Sequence, residues 1–173
     1  MLKRIVILGP ESTGKTTLSA GLARRYHTEW VPEYAREHLL THGTAYTYDD
    51  LLLIAQKQLA LEDKIAARAK NNLLFIDTDM YVMKVWCEFV FSACHQWIID
   101  RIVERTYHLY LLCDTDLPWT KDELREYPDL ESRQQLFCMY KQNMIEQQTP
   151  WKLIRGTDEE RLLSAMSFVD AIK

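Results

Sequence analysis

Glycine and proline are scarce in this sequence, and positive charge is not in excess. Each of the two residues occurs only five times in 173 positions, which argues against a collagenous or long disordered chain. The 21 Lys and Arg residues are outnumbered by 25 Asp and Glu, which gives a formal net charge of -4. Because domains that grip nucleic acid non-specifically are usually basic, this balance argues against nucleic acid as a partner.

Cysteine pairs at metal spacing and long hydrophobic runs are missing as well. No two of the four cysteines are spaced as CxxC, which argues against a zinc site or a thioredoxin-like motif. The first apolar run, Ile5 to Leu8, is too short for a signal peptide or a membrane span. We therefore expect a cytoplasmic chain with reduced thiols and no membrane partner. The sequence leaves the oligomeric state open.

Short apolar runs alternate with helical patterns along the chain. This alternation predicts an α/β fold with a five-stranded parallel sheet in a three-layer sandwich, formed by one domain over residues 1–173. Strands are expected at about residues 4–8, 29–31, 73–76, 107–112 and 151–154. Helices are expected at about 15–26, from 49 or 50 to 70, and at 80–94, 97–105, 132–147 and from 159 onward.

A phosphate-binding motif follows the first predicted strand. Residues 9–16 read GPESTGKT and fit G-x-x-x-x-G-K-[ST] at every fixed position. In such a loop the backbone N–H groups and the helix N-terminus surround phosphates, Lys15 reaches the β- and γ-phosphates, and the Thr16 hydroxyl binds Mg²⁺. The motif predicts ATP and Mg²⁺ as cofactors, although motors, GTPases and kinases share it. The candidate nucleotide contacts are Gly9, Glu11, Ser12, Thr13, Gly14, Lys15, Thr16 and Thr17.

Two acidic segments are placed where a P-loop fold needs carboxylates. Asp77 ends the third predicted strand, as the metal-binding carboxylate of a Walker B segment does. Asp79 either faces the substrate or caps the following helix. After the second strand, Glu33 could accept the proton of an attacking hydroxyl, with Tyr34 and Arg36 near the substrate. The alternative for this segment is a solvated helical turn with Glu33 and Arg36 at i, i+3.

Residues 116–133 form a candidate lid. Small kinases carry mobile arginines after the fourth strand, and Arg125 and Arg133 are the candidates here. The alternative is that both are exposed arginines paired with Glu123, Glu126 or Glu131. Gly156, after the last strand, either passes close to the adenine ring or belongs to a plain turn.

Taken in order, these segments resemble the NadR-like kinase domain, the ribosylnicotinamide kinase module that is also grouped as an ATPase domain of NadR type. They are the phosphate loop, PEYARE at 32–37, FIDTD at 75–79 and the stretch from Asp116 to Arg125. The resemblance covers nearly the whole chain and implies a nucleoside-monophosphate-kinase-like P-loop NTPase fold. It also implies phosphoryl transfer from ATP to the 5′-hydroxyl of nicotinamide riboside, a step of NAD salvage.

The resemblance also implies residue roles. Glu33 stands where small nucleoside kinases place a general base, Asp77 and Asp79 lie in the metal and substrate region, and Arg36 and the lid arginines lie near the phosphates. We therefore take Lys15, Glu33, Asp77 and Arg125 as candidate catalytic residues.

The sequence departs from the family pattern in two ways. Longer NadR proteins carry an adenylyltransferase domain, and some a DNA-binding domain, ahead of the kinase; this chain begins at the first kinase strand, so we expect a standalone kinase domain. Members that act on nicotinamide riboside tend to have an aromatic residue before the Glu of the second motif, whereas this chain has Pro32. Tyr46 or Tyr81 could replace that aromatic. Trp86, Phe89, Phe91 and Trp97 are expected in the core.

The acceptor therefore stays open on sequence grounds. Nicotinamide riboside leads, followed by another nucleoside or a vitamin on the same scaffold. A third alternative is a nucleotide-dependent regulatory ATPase or switch, which would hydrolyse ATP slowly and have no acceptor that stimulates turnover.

Overall fold

A computed structural model of the chain describes residues 1–69 and 71–173, and within these ranges five parallel strands form one sheet in the order β2-β3-β1-β4-β5. No helix in the described ranges is long and apolar enough to cross a membrane. The elements in chain order are β1 (Lys3–Leu8), α1 (Lys15–Tyr26), β2 (Trp30–Val31), α2 (Tyr34–His42), α3 (Tyr48–Ala66), β3 (Leu73–Asp77), α4 (Met80–Phe91), α5 (Gln96–Glu104), β4 (Leu109–Cys113), α6 (Leu130–Glu146), β5 (Trp151–Ile154) and α7 (Asp158–Ile172).

The central strand β1 is apolar on both faces because helices cover both sides of the sheet. Ile5 pairs with Phe75 of β3 on one side and with Leu109 of β4 on the other. Successive side chains of a strand point to opposite faces. Val6 and Leu8 accordingly belong to a core cluster shared with α4 and α6, whereas Ile5 and Ile7 belong to one shared with α1 and α7. The predicted three-layer sandwich is confirmed.

A third apolar cluster lies beyond the edge of the sheet. It joins α2, α3, α4 and α5 through side chains such as Leu51, Ile54, Met83 and Ile98. This helical subassembly meets the sheet through α3, which contacts the edge strand β2. Ligands bind at the carboxyl ends of strands in open α/β sheets. The subassembly therefore forms one flank of the site described below.

Several predicted helix boundaries were wrong. Thr47, not Asp49 or Asp50, caps α3: its hydroxyl accepts from the Asp50 N–H at 3.2 Å, and the Asp50 carboxylate accepts from the Thr47 N–H at 2.8 Å. This reciprocal capping box starts the helix at Tyr48. The predicted end at Lys70 lies outside the described residues; α3 ends at Ala66.

Two further boundaries differ near the site. The helix predicted to reach Cys94 ends at Phe91, because Ser92 takes a left-handed backbone conformation with φ +55°. The segment from Tyr34 to His42 is a full helix, α2, which the sequence analysis raised only as a helical turn.

Candidate functional site

The phosphate loop connects β1 to α1 in a shape that only glycine permits at its first position. Gly9 has φ +141°, and a Cβ placed there would lie 2.7 Å from the Cys113 carbonyl oxygen of β4. The loop therefore lies directly against the neighbouring strand. The Lys15 ammonium donates to the Pro10 carbonyl oxygen at 2.9 Å, which keeps the charge of Lys15 over the loop. A loop with its cation in this position is suited to phosphates, and its backbone N–H groups are the candidate donors.

The Asp77 carboxylate and the Thr16 hydroxyl form an oxygen pair at the base of this loop. Thr16 Oγ1 donates to Asp77 Oδ2 at 2.5 Å. Asp77 is fully buried, and its Oδ1 has no hydrogen-bond partner within residues 1–69 and 71–173. Burial raises the pKa of Asp77 to about 6, as does the nearby charge of Glu33, while Lys15 and Thr16 oppose the shift.

This pair fits a magnesium ion. Mg²⁺ takes oxygen ligands, and beside a triphosphate it uses few protein groups because phosphates and waters complete its octahedron. The unpartnered Asp77 Oδ1 supplies a buried anionic oxygen for that purpose, and Thr16 supplies a hydroxyl. No cluster of three or more His, Cys, Asp or Glu side chains arranged for a metal occurs among the residues described.

A buried arginine that the sequence analysis did not single out supports the loop from behind. Arg161 of α7 is 1% exposed, and its guanidinium donates to the carbonyl oxygens of Thr13, Asp114 and Gly156 at 2.8–3.1 Å. It also pairs with the Asp116 carboxylate. One cation thus joins the loops that follow β1, β4 and β5. The spacing of Arg161, Ala165 and Val169, four residues apart on the buried stripe of α7, was the available signal.

A cleft of about 500 Å³ opens above the phosphate loop. The carboxyl end of β2 and the start of α2 also line it, so that Glu33 borders the same cleft as the phosphate loop. The cleft brings together several sequence-predicted residues: Glu11, Ser12, Thr13, Gly14, Lys15, Thr16, Thr17, Glu33, Arg36 and Arg125.

Other predicted residues lie outside the lining of this cleft. Asp79 is buried and caps α4, with its Oδ1 accepting from the N–H groups of Tyr81 and Val82 at 3.1 and 3.3 Å. Burial raises its pKa to about 7. Arg133 is buried and donates to the Leu117 carbonyl oxygen at 3.3 Å.

Tyr34 and Gly156 are likewise engaged by the surrounding fold. The Tyr34 N–H donates to the Gln58 side chain at 2.7 Å, which fixes the first residue of α2. The Gly156 N–H donates to the Asp116 carboxylate at 2.7 Å, within the network around Arg161. The predicted ligand contacts of these two residues, like those of Asp79 and Arg133, stay predictions.

The candidate lid rests on the phosphate loop. The Thr120 N–H and the Arg125 guanidinium both donate to the Ser12 hydroxyl, at 2.9 and 3.3 Å. Arg36 of α2 forms an ion pair with Asp122 of the lid at 3.1 Å. Arg125 also donates to the Thr120 carbonyl oxygen. The lid thus spans the cleft from the loop to α2, and Arg125 reaches the phosphate end.

A narrow aromatic pocket of about 90 Å³ adjoins the cleft. Trp86 and Phe89 of α4, expected in the core, are half-buried and line it together with Tyr127 of the lid. The Phe89 and Tyr127 rings meet edge to face, 5.1 Å between centroids, and Trp86 donates its indole N–H to the Tyr46 hydroxyl at 2.8 Å. Cleft and pocket are adjacent and share four wall residues: Glu11, Lys15, Leu39 and Leu124.

The sequence of the chain matches one protein family over most of its length. Residues 4–161 match the AAA_28 family, described as an AAA domain. The chain belongs to this family. Among curated relatives of this AAA domain are the trifunctional NAD biosynthesis/regulator proteins NadR of Salmonella typhimurium (31% identical over 153 residues) and Escherichia coli (30%). Each alignment covers 84% of the chain but only 37% of the relative, so the chain spans little more than a third of their length.

Solved structures share the fold of this AAA domain at low sequence identity. A NadR protein in complex with NR superposes with a TM-score of 0.81 at 20% identity, over 99% of this chain and 51% of that one. Thymidylate kinase from Ehrlichia chaffeensis superposes with a TM-score of 0.68 at 12% identity, over 96% and 98% of the two chains. Deoxyadenosine kinase from M. mycoides with bound dATP gives 0.62 at 14% identity, over 97% and 99%.

These matches confirm two predictions made from the sequence. The resemblance to the NadR-like kinase domain holds over most of the AAA domain, and the fold is the P-loop NTPase α/β sandwich. The thymidylate kinase and deoxyadenosine kinase structures share this fold. The roles of individual site residues stay predictions.

Proposed function

We propose that this chain is an ATP- and Mg²⁺-dependent kinase that transfers the γ-phosphoryl group to the 5′-hydroxyl of a riboside. We further propose that the acceptor is nicotinamide riboside and the product nicotinamide mononucleotide. The observation that carries the proposal is the adjacency of the two spaces: Lys15 lines both the cleft over the phosphate loop and the aromatic pocket. A ring held in the pocket directs its ribose toward the γ-phosphate end of the loop.

The proposed chemistry is mainly positioning and charge neutralisation. Phosphoryl transfer asks a protein to align donor and acceptor and to stabilise negative charge on the transferred group. Lys15 and Arg125 supply positive charge from the loop and the lid. Asp77 and Thr16 would hold Mg²⁺, which neutralises phosphate charge when bound. Glu33, which also lines the cleft, orients or deprotonates the 5′-hydroxyl.

The proposal also assigns roles to Arg36 and to the residues of the phosphate loop. Arg36 lines the cleft and meets the lid through Asp122, so it is placed to follow lid closure over the phosphates. We assign nucleotide contacts to the phosphate loop and to the following residues of its helix. They are Gly9, Glu11, Ser12, Thr13, Gly14, Lys15, Thr16 and Thr17.

The walls of the aromatic pocket favour a cationic ring. Trp86, Phe89 and Tyr127 present aromatic surface, and the two acidic residues Glu11 and Glu126 line the pocket against one cation, Lys15. A pyridinium ring gains cation–π attraction from such faces and Coulomb attraction from the carboxylates, whereas a neutral nucleobase gains neither in full. Trp86 and Tyr127 thereby supply aromatic surface in place of the aromatic residue that is missing at position 32, where this chain has Pro32.

The two tyrosines considered from the sequence have different surroundings. The Tyr46 hydroxyl accepts from Trp86 and donates to Glu126 at 2.8 Å, so Tyr46 supports the pocket from behind. The Tyr81 ring packs edge to face on Tyr110, 5.7 Å between centroids, away from the pocket lining. Tyr46 is therefore the better supported of the two as part of an acceptor site.

An acceptor panel tests the proposal. ATP consumption with Mg²⁺ is measured with nicotinamide riboside, thymidine, deoxyadenosine, the two corresponding monophosphates and thiamine. We expect nicotinamide riboside to stimulate turnover most. Stronger stimulation by another acceptor would support the kinase activity but assign it a different substrate. No stimulation by any of these acceptors would favour the regulatory ATPase.

A tryptophan substitution assigns the acceptor site within the same assay. Trp86→Leu removes the indole ring from the lining of the pocket. We therefore expect the KM for nicotinamide riboside to rise about tenfold or more, and the KM for ATP to change by less than about threefold. Trp97→Leu is the matched control, because Trp97 on α5 packs against the same helical cluster as Trp86 but does not line the pocket. Equal effects of the two substitutions on the KM for the riboside would contradict the assignment of the pocket.

A further inference from the structure

The Glu11 carboxylate, inside the phosphate loop, is bonded to the lid. Its two oxygens accept from the Glu126 N–H at 3.0 and 3.2 Å, and one of them also accepts from the Tyr127 N–H at 3.1 Å. Residues 126–128 belong to no helix or strand, so the N–H groups of Glu126 and Tyr127 have no partner in regular secondary structure. The carboxylate satisfies both, and charge-assisted bonds of this kind are stronger than neutral ones.

The lid residues beside this contact reach two different parts of the site. Arg125 extends to the Ser12 hydroxyl at the phosphate end. Tyr127 turns its ring into the aromatic pocket against Phe89. Glu126 accepts from Tyr46, whose hydroxyl in turn accepts from Trp86 on the opposite wall of the pocket. A shift of the backbone at 126–127 would therefore move both the phosphate contact and the pocket wall.

We propose that Glu11 is a positioning residue that fastens residues 125–127 of the lid to the phosphate loop, and that it thereby couples occupancy of the ATP site to binding in the aromatic pocket. The identity of the two ligands rests on the function proposed above. The contact between Glu11 and the lid amides rests on the geometry alone.

The charge of Glu11 gives this role a distinctive signature. A carboxylate in the phosphate loop repels the triphosphate, so its removal does not weaken ATP binding through charge. Its removal does release Arg125 and Tyr127, so transfer slows and the riboside binds less tightly. Removal of a residue that merely stabilised the fold would weaken the binding of both ligands together and lower the melting temperature.

Glu11→Ala and Glu11→Gln test the proposal against Glu131→Gln. Glu131 is an exposed carboxylate in the same lid segment, at the start of α6. The dissociation constant of nicotinamide riboside is measured with and without a non-hydrolysable ATP analogue, and the ratio of the two is the coupling factor. Thermal unfolding of each variant is recorded, and kcat is measured with ATP.

We expect the analogue to tighten riboside binding several-fold in the wild type and in Glu131→Gln. In Glu11→Ala the coupling factor should approach one, with analogue affinity equal or higher and kcat reduced roughly tenfold to hundredfold, because the lid arginine is misplaced. Glu11→Gln should lie between, since its amide oxygen still accepts one N–H. An unchanged coupling factor in Glu11→Ala, or parallel loss of both affinities with a lower melting temperature, would overturn the proposal.

Hydrogen exchange separates failure of this inference from failure of the proposed function. Amide exchange at Glu126 and Tyr127 needs no acceptor, and with the ATP analogue bound it should be slow in the wild type and fast in Glu11→Ala. Equal exchange at these two amides in both proteins would overturn the role of Glu11, whatever the acceptor panel shows. Slow exchange in the wild type and fast exchange in the variant would support the contact even if nicotinamide riboside proved not to be the substrate.

Discussion

Two aspartates at the end of β3 show how position decides the use of a carboxylate. Asp77 is the last residue of the strand and meets Thr16 of the phosphate loop, whereas Asp79 is two residues further on and bonds the first N–H groups of α4. Both are buried, and burial raises the pKa of each. Only Asp77 keeps an oxygen without a partner in the described chain, and that oxygen is the one available to a metal.

The role of Glu33 can be tested by removing its charge. Glu33→Gln keeps the size of the side chain but cannot accept a proton, so we expect kcat to fall about 100-fold or more, with the KM for ATP changed by less than about threefold. Steady-state kinetics with nicotinamide riboside check this expectation. Glu37→Gln, one turn further along α2 and exposed, is the control. A kcat for Glu33→Gln equal to that of the control would remove Glu33 as the base.

At the scale of elements, the phosphate loop is held in place by its neighbours on both sides. The close approach of Gly9 to β4 fixes where the loop leaves the sheet, and Arg161 of α7 fixes the carbonyl of Thr13 further along. Both contacts join segments that are far apart in sequence. The shape of the loop is therefore a property of the folded sheet and of α7, as well as of the glycines in the motif.

Gly9→Ala should distort the loop. The added Cβ would lie 2.7 Å from a backbone oxygen of β4, at a φ of +141° that side chains disfavour. We expect the free energy of unfolding to fall by roughly 2–4 kcal/mol and ATP-analogue binding to weaken, as denaturant unfolding and titration will measure.

Gly43→Ala is the control for that substitution. Gly43 also has positive φ, at +88°, but a Cβ there meets nothing within 4 Å, so we expect a cost of only about 1 kcal/mol. Equal costs for the two glycines would show that conformation alone, and not contact with β4, restricts Gly9.

The elements themselves could be predicted to different extents. The strand before the phosphate loop and the helix after it, α1, follow from a buried apolar run and a motif that are both local in sequence. Helix α2 was missed because its few buried residues, Ala35, His38 and Leu39, leave little apolar periodicity in a short polar segment. The end of α4 was misplaced because Ser92 takes a left-handed conformation that its residue type does not signal.

At the scale of the whole molecule, the site is assembled from segments that only the fold brings together. The phosphate loop and Asp77 were predictable because each is defined by a short pattern after a strand. The aromatic pocket was not, because periodicity shows that Trp86 and Phe89 lie on a helix but not that a lid crosses over them. The same holds for Glu11, whose partners Glu126 and Tyr127 lie more than 100 residues along the chain.

The most direct test of the central claim is to follow both products of the reaction together. Purified protein is incubated with ATP, Mg²⁺ and nicotinamide riboside, and phosphorus NMR records ADP and nicotinamide mononucleotide over time. We expect the two to form in equal amounts, and we expect Lys15→Ala, which lacks the loop cation, to form neither. Release of inorganic phosphate with the riboside unchanged would contradict nicotinamide riboside as the acceptor.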